Sequence, residues 1–424
     1  MKSSRSLASL PRPVSESPHR VEPLPRLGAA LQRAVARRVI GTLGDAPVAF
    51  LLPDGQEIRH GSGPPIARVV FRDAAALLRL IAISPELPFG DGYAAGRIDV
   101  EGDFQGLLDS AFAAPEPSDL LHRAAARWRT LRRRRNSLRG ARENIHHHYD
   151  LGNDFYALWL DREMVYTCAY FTTPDASLEA AQLAKMEHVA RKLRLSPGES
   201  VVEAGCGWGS LALYLARRYG VRVRAFNISA EQIAYARERA RKEHLGDRIE
   251  FVEDDYRNVS GRYDAFVSVG MLEHVGPEHY ADLSRVIDRS LTPDGRGLLH
   301  FIGRNRPREF SRWVQRRIFP GAYAPTLCEV GPVLEAADLA VLDVENLRLH
   351  YAKTLEHWLA RFEAHRDEVA QRFDDAFVRA WRLYLAGSIA AFRTGTLQLF
   401  QIVFARARSN AVPWTRADLY AGAA

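Results

Sequence analysis

The sequence predicts an α/β fold, a parallel sheet covered by helices on both faces, preceded by a small α+β domain. Three observations carry this. From about residue 185, short apolar runs alternate with helical stretches, the pattern of strand–crossover–strand units. One of these strands runs into a glycine-rich turn, Glu203-Ala-Gly-Cys-Gly-Trp-Gly209, which opens a helix. The length of 424 residues, with 47% hydrophobic and 26% charged residues, leaves room for two or three domains of ordinary globular composition.

Residues 1–24 are rich in Ser, Pro and Arg, lack the apolar centre of a secretory signal and read as a disordered tail. Residues 25–118 read as a small domain: Leu27 to Val39 has helical spacing, and Pro47 to Leu52 and Ile66 to Phe71 alternate as strands. Pro88 to Asp103, dense in Gly, reads as turns and short strands. Residues 119–142 form a linker with helical periodicity, Ala124, Trp128, Leu131 and Leu138 on one face. Nine Arg and no acidic residue fall within 120–142; removing their charge from the net +7 leaves −2 for the rest. This is one cationic segment on a nearly neutral protein, so it points to an anionic surface, a membrane or a phosphate-bearing ligand, or to a plainly solvated linker.

Residues 143–412 form the large domain. Its strands are expected at Ser200 to Glu203, Arg222 to Phe226, Arg248 to Val252, Ala265 to Val269 and Gly297 to Ile302. Helices are expected at Leu211 to Tyr219, Ala230 to His244 and Glu278 to Ser290. Leu339 to Leu349 and Leu399 to Ala405 read as a closing strand pair around helical residues 354–394. No apolar run is long enough to span a bilayer. Cys168, Cys206 and Cys328, an odd number without metal-like spacing, fit a reduced, cytoplasmic protein.

The glycines at 205, 207 and 209 let the backbone approach a ligand and free N–H groups at the next helix. A dinucleotide fingerprint has wider glycine spacing and an acid at the end of the second strand. Here that strand ends in Asn227-Ile-Ser-Ala-Glu-Gln232, and the third ends in Glu253-Asp254-Asp255-Tyr256.

Six motifs in this order resemble the cyclopropane-fatty-acyl-phospholipid synthases and the related mycolic-acid methyltransferases. They are His146-His-His-Tyr-Asp-Leu-Gly-Asn-Asp-Phe-Tyr156, Tyr166-Thr-Cys-Ala-Tyr-Phe171, the glycine turn, Asn227-Ile-Ser-Ala-Glu-Gln232, Leu272-Glu-His-Val-Gly276 and Phe319-Pro-Gly321. The resemblance spans roughly residues 30–410. It implies a class I methyltransferase Rossmann-like sheet with a helical lid. The cofactor it implies is S-adenosylmethionine, on positions matching Tyr166, Thr167, Glu203, Gly205, Gly207, Gly209, Asn227, Gln232, Tyr256 and Arg257.

The family's chemistry places a methyl on a carbon of a cis double bond in a phospholipid acyl chain, so the resemblance implies unsaturated phospholipid acyl chains as substrate. A bound bicarbonate ion then takes a proton so that a cyclopropane closes. The positions matching that anion site are Cys168, Glu273, His300, Ile302 through its backbone, and Tyr351. Taken singly, His300, Cys168 and Tyr351 also read as ordinary core residues. Tyr149, Gly152, Asn153 and Phe155 are expected to form a lid, Cys206 to pack, and His274 to be structural. His146 to His148 lack the partners of a zinc site.

One departure matters: Ala391-Phe-Arg393 is preceded by Ser388 where many family members carry a cysteine. A serine cannot replace a thiolate at neutral pH. Methyl-branched, methylene or furan-precursor products are the alternative outcome on the same fold. A nucleic-acid methyltransferase is disfavoured, because the strand-four turn is Gly270-Met-Leu-Glu-His274 rather than an Asn/Asp-Pro-Pro-aromatic turn, and no nucleic-acid partner is expected. The expected location is the cytoplasmic side of the inner membrane, peripherally bound at an anionic surface; relatives form dimers, so a homodimer is also expected.

Overall fold

The structure is a computed structural model that describes residues 28–81, 85–114 and 151–420. The tail, the Arg-rich segment and the His146 to Tyr149 run lie outside the described residues. The chain divides into two units: one holds the residues up to Leu107 together with Asp367–Trp381, the other Leu108–Arg366 and the residues from Arg382 onward.

The first unit carries a four-stranded sheet in the order β2-β1-β3-β4. The strands are β1 (Val48–Leu51), β2 (Glu57–His60), β3 (Ala67–Phe71) and β4 (Ile98–Gly102). β1 and β3 are parallel, and the outer pairs are antiparallel. Val48, Phe50, Val69, Phe71 and Ile98 point into one core with Ala36 and Ile40 of helix Ala29–Ile40, as the alternating apolar pattern requires. The expectation of turns and short strands over Pro88 to Asp103 is corrected in its first half: Glu86–Ala94 is a helix. Pro88 sits in its first turn, where no backbone partner is lost. Gly92 is needed because a Cβ there would lie 2.8 Å from the Ile98 side chain, so the helix packs tightly on β4. Arg379 fixes the C-terminal segment of this unit by donating to the Tyr93 and Ile98 carbonyls at 2.6 and 2.9 Å.

The second unit is built on a seven-stranded sheet, β10-β11-β9-β8-β5-β6-β7. The strands are β5 (Ser200–Ala204), β6 (Arg222–Asn227), β7 (Ile249–Glu253), β8 (Tyr263–Val269), β9 (Leu291–Gly303), β10 (Leu339–Asn346) and β11 (Gln398–Arg406). β5 to β9 are parallel; β11 runs antiparallel to both β9 and β10. Val201, Val223, Phe251, Val267 and Leu298 pack on one face against helices Leu178–Leu193, Ser210–Tyr219 and Ala230–Lys242. Val202, Phe226, Phe266, Leu299 and Phe301 pack on the other against helices Tyr280–Ser290 and Leu327–Glu335. This is the class I methyltransferase fold.

Two boundaries differ from expectation. The helix from Ala230 ends at Lys242 instead of His244, because His244 adopts φ 56° and Leu245 N closes onto Ala240 O. β10 stops at Asn346 instead of Leu349, because the Asn346 carboxamide accepts from Arg348 N and turns the chain into helix Arg348–Ala364. Among the described residues no helix is long and apolar enough to cross a membrane.

Candidate functional site

The carboxyl ends of β5, β6 and β7 build the first half of the site, where an open parallel sheet binds its ligands. Gly205, Gly207 and Gly209 have φ of +85°, +54° and +81°, so all three sit in the region that excludes most side chains. Their roles differ. Gly205 N and Cys206 N donate to Phe226 O, tying the turn to β6, and Cys206 packs in the core as expected. A Cβ on Gly209 would lie 2.6 Å from the Phe251 ring, so this glycine serves helix packing. Around Gly207 nothing lies within 4 Å of where a Cβ would be, which leaves an open cradle.

Asn227 ends β6 and braces that cradle: its amide donates to Gly207 O at 3.3 Å and to Gln232 Oε1 at 2.7 Å. Beyond β7, Tyr256 is buried, and its hydroxyl has no partner among the described residues. Arg257 is held by two bonds to Asp255, at 2.8 and 3.0 Å, with its guanidinium 5.5 Å from the Tyr256 ring centre.

The second half is a polar seam inside the sheet. The two-residue alternation that sends Leu299 and Phe301 to one face sends His300 and Ile302 to the other, toward helix Leu178–Leu193. His300 pairs in register with Gln401 of β11, and Gln401 with Glu345 of β10, so three polar residues cross three adjacent strands. Gln401 Nε2 donates to His300 Nδ1 at 3.0 Å, and His300 Nε2 has no partner among the described residues. Burial holds the His300 imidazole well below its ordinary pKa, and the nearby Lys185 and Lys192 push it further down. It is therefore neutral, with its proton on the unpartnered Nε2. At the far end of the seam His188 and Lys192 bind Glu345 at 2.7 and 2.5 Å.

Glu273 lies in the short helix Leu272–Val275 that follows β8, 5% exposed. Its Oε1 accepts from Ile302 N at 2.6 Å, its Oε2 has no partner among the described residues, and burial raises its pKa to about 7. This qualifies the role implied for the Ile302 backbone: its N–H is already taken by Glu273. His274 turns away to meet Phe319 edge-to-face, with burial lowering its pKa to about 4.

Cys168 is fully buried, its thiol donating to Ala169 O at 3.1 Å, and burial raises its pKa far above the usual thiol range. It is a thiol, not a nucleophile. Tyr166 stands in an aromatic wall, with ring centres of Tyr156, Trp159 and Trp358 at 5.4, 5.3 and 5.2 Å, and its hydroxyl meets that of Tyr384 at 2.8 Å. Tyr351 joins this wall through Trp358 and Phe392, at 6.0 and 4.6 Å. Phe155, expected in a lid, is fully buried and packs edge-on against Tyr156 and Trp159. Asn153, expected there too, accepts from Trp208 Nε1 of the glycine turn at 2.6 Å.

Three residues escaped sequence reasoning. Gln182 and Lys185, one turn apart on helix Leu178–Leu193, hold the Tyr166 to Cys168 segment: Gln182 donates to Thr167 O at 2.9 Å and Lys185 to Thr167 Oγ1 at 3.1 Å. Gln401 is the third. The available signal was polarity on positions that should face a core, Gln and Lys at i, i+3 in an amphipathic helix and a Gln amid an apolar strand. Glu203, expected at the cofactor, is buried beside Lys185; burial raises its pKa to about 7, and its Oε2 has no partner among the described residues. Among the described residues no cluster of His, Cys, Asp or Glu could hold a metal ion.

Comparison with known proteins matches residues 136–402 to the family described as mycolic acid cyclopropane synthetase. The chain belongs to this family. A second match, to a domain of unknown function, covers residues 35–119. A probable fatty acid methyltransferase of Pseudomonas putida is 35% identical over 385 residues, 88% of this chain and 96% of that protein. The cyclopropane-fatty-acyl-phospholipid synthase of Escherichia coli strain K12 is 40% identical over 264 residues, 62% of this chain and 68% of that protein. Among solved structures, mycolic acid cyclopropane synthase CmaA1 complexed with SAH and CTAB superposes with a TM-score of 0.59 at 29% identity, covering 62% of this chain and 98% of that one. Family membership makes the chain a methyltransferase of the lipid-modifying kind.

Proposed function

We propose that this chain is a cyclopropane-fatty-acyl-phospholipid synthase that uses S-adenosylmethionine and bicarbonate on unsaturated phospholipid acyl chains. The observation that carries the reading is the pairing of an open glycine cradle at Gly207 with two buried side chains, Glu273 and His300, whose Oε2 and Nε2 lack partners among the described residues. Orphaned buried polar atoms cost stability unless a ligand satisfies them.

The residues fit both groups. The cradle, Thr167, Asn227, Gln232, Tyr256 and Arg257 would hold the cofactor, which supplies an electrophilic methyl on a sulfonium. His300 Nε2–H can donate to an anion, and Glu273, with its pKa near 7, can hold or release a proton beside it. Tyr166, half-buried and backed by the buried rings of Tyr156, Trp159 and Trp358, would present a ring face that stabilises positive charge on an alkene carbon. Cys168 would contribute only a small buried thiol, its proton donated to Ala169 O. Docking on an anionic membrane through the Arg-rich residues 120–142 would bring the acyl chain within reach, and added salt should weaken it.

The test is mass spectrometry of lipids from cells expressing the chain, with Glu273→Gln as control and alkene-sensitive derivatisation. A gain of one CH₂, about 14 mass units from one methyl gained and one proton lost, in chains that no longer react as alkenes supports cyclopropanation. A second reading, a C-methyltransferase giving methyl-branched or methylene products, is favoured by the similarity to a probable fatty acid methyltransferase over 88% of this chain. It predicts a gain of one CH₂ with the alkene retained when the cation loses a proton, or a saturated methyl branch when a separate reductant delivers hydride to the cation.

A further inference from the structure

Lys185 is buried to 2% exposure in the middle of the second unit, and no part of the reading above uses it. Its surroundings are specific. The ammonium donates to Thr167 Oγ1 at 3.1 Å. Asp161, Cys168 and Glu203 face it and favour its charge, while burial opposes that charge and lowers its pKa to about 8. His300 of β9, on the adjacent strand face, is near enough to feel the ammonium. The ammonium is shut away from solvent, whereas Thr167 is only half-buried.

Thr167 is locked on both sides. Gln182 Nε2 holds its carbonyl at 2.9 Å, and its methyl lies against Gly270, where a Cβ would come within 2.9 Å. Gly270 N in turn donates to His300 O at 2.8 Å, which fixes Thr167 to the carboxyl edge of the sheet. With its oxygen accepting from Lys185, the hydroxyl has one proton left to donate, and that proton has no acceptor among the described residues. A hydroxyl that accepts from an ammonium is a stronger donor than one that does not, because the dipoles along a hydrogen-bond chain polarise each other. Such a donor selects an anionic oxygen.

We propose that Lys185 is a positioning residue for the α-carboxylate of the cofactor, acting through Thr167, which presents its hydroxyl proton to that carboxylate. The inference rests on the S-adenosylmethionine reading above. The α-carboxylate is the one anionic group of that molecule; its adenosine half has none.

The experiment measures binding of S-adenosylhomocysteine and of 5′-methylthioadenosine, which lacks the amino-acid portion, to the full chain by calorimetry. Lys185→Met and Thr167→Val should each weaken S-adenosylhomocysteine about tenfold, the loss of one charge-assisted hydrogen bond, and leave 5′-methylthioadenosine unchanged. The double variant should be no weaker than either single one, and Thr167→Ser should restore binding. Should Lys185→Met misfold for want of its buried charge, Thr167→Val tests the hydroxyl alone. Equal weakening of both ligands, or unchanged binding of S-adenosylhomocysteine, overturns the inference while the cofactor reading stands. A wild type that binds neither ligand overturns the cofactor reading and the inference with it.

Discussion

Gln401 Nε2 donates to His300 Nδ1 at 3.0 Å across the antiparallel β9–β11 pair. A side-chain amide nitrogen only donates, so the bond fixes the imidazole tautomer with its proton on Nε2, the nitrogen without a partner among the described residues. Gln401→Leu removes this control without changing the fold of a strand that is otherwise apolar. Turnover should fall about tenfold to a hundredfold, the usual scale for a misoriented acid–base group, with the KM for cofactor unchanged. Steady-state kinetics on dispersed phospholipid checks this.

Glu273 links stability to pH. Burial raises its carboxyl from 4.5 to about 7. A carboxyl whose folded pKa lies above its unfolded one costs nothing below pH 4.5, costs progressively more between 4.5 and about 7, and costs a constant amount above. Glu273→Gln keeps an oxygen to accept from Ile302 N but carries no charge. The variant should therefore be inactive yet more stable than wild type at pH 8, by at most about 3 kcal/mol, with the gain vanishing at pH 4.5. Denaturant melts at the two pH values read it out.

The glycine turn separates folding from binding. Gly209→Ala forces a Cβ into the Phe251 ring and Ala236, on a backbone at φ +81°, so it should cost several kcal/mol, on the scale of about 1–2 for the backbone plus overpacking. Gly207→Ala meets open space at φ +54° and should cost only the backbone strain, about 1 kcal/mol. It should fold, and its cofactor affinity should drop because the methyl occupies the cradle. Thermal melts and cofactor titration of the two variants distinguish these outcomes.

Ser388 lies one helical turn from both Tyr384 and Phe392, which touch Tyr166 and Tyr351. Its position on that face makes it a neighbour of the aromatic wall. The proposed chemistry needs no thiolate there, since the anion and Glu273 manage the proton. Ser388→Cys should leave turnover within about twofold of wild type and insensitive to thiol alkylation, as expected for a residue without a covalent role. Loss of activity on alkylating the variant but not the wild type would overturn this expectation.

The sheet, the glycine turn and the family are legible along the chain because they rest on local signals: alternation of apolar residues, glycines in a strand-to-helix turn, and motifs contiguous in the sequence. The sequence also marked Glu273 and His300, which sit in or beside strands whose ends form the ligand edge. It missed Lys185, Gln182 and Gln401, and it misread Glu86–Ala94 as turns. Each of these depends on what lies across a gap of many residues. Gln401 matters because β11 pairs with β9 in a register that sets it opposite His300. Lys185 matters because helix Leu178–Leu193 packs its ammonium under Thr167. Gly92 can be helical because Ile98 of β4 needs the space that a side chain would fill. Periodicity reports that a residue is buried, but only the tertiary packing decides what it is buried against, and a buried polar group takes its function from that partner.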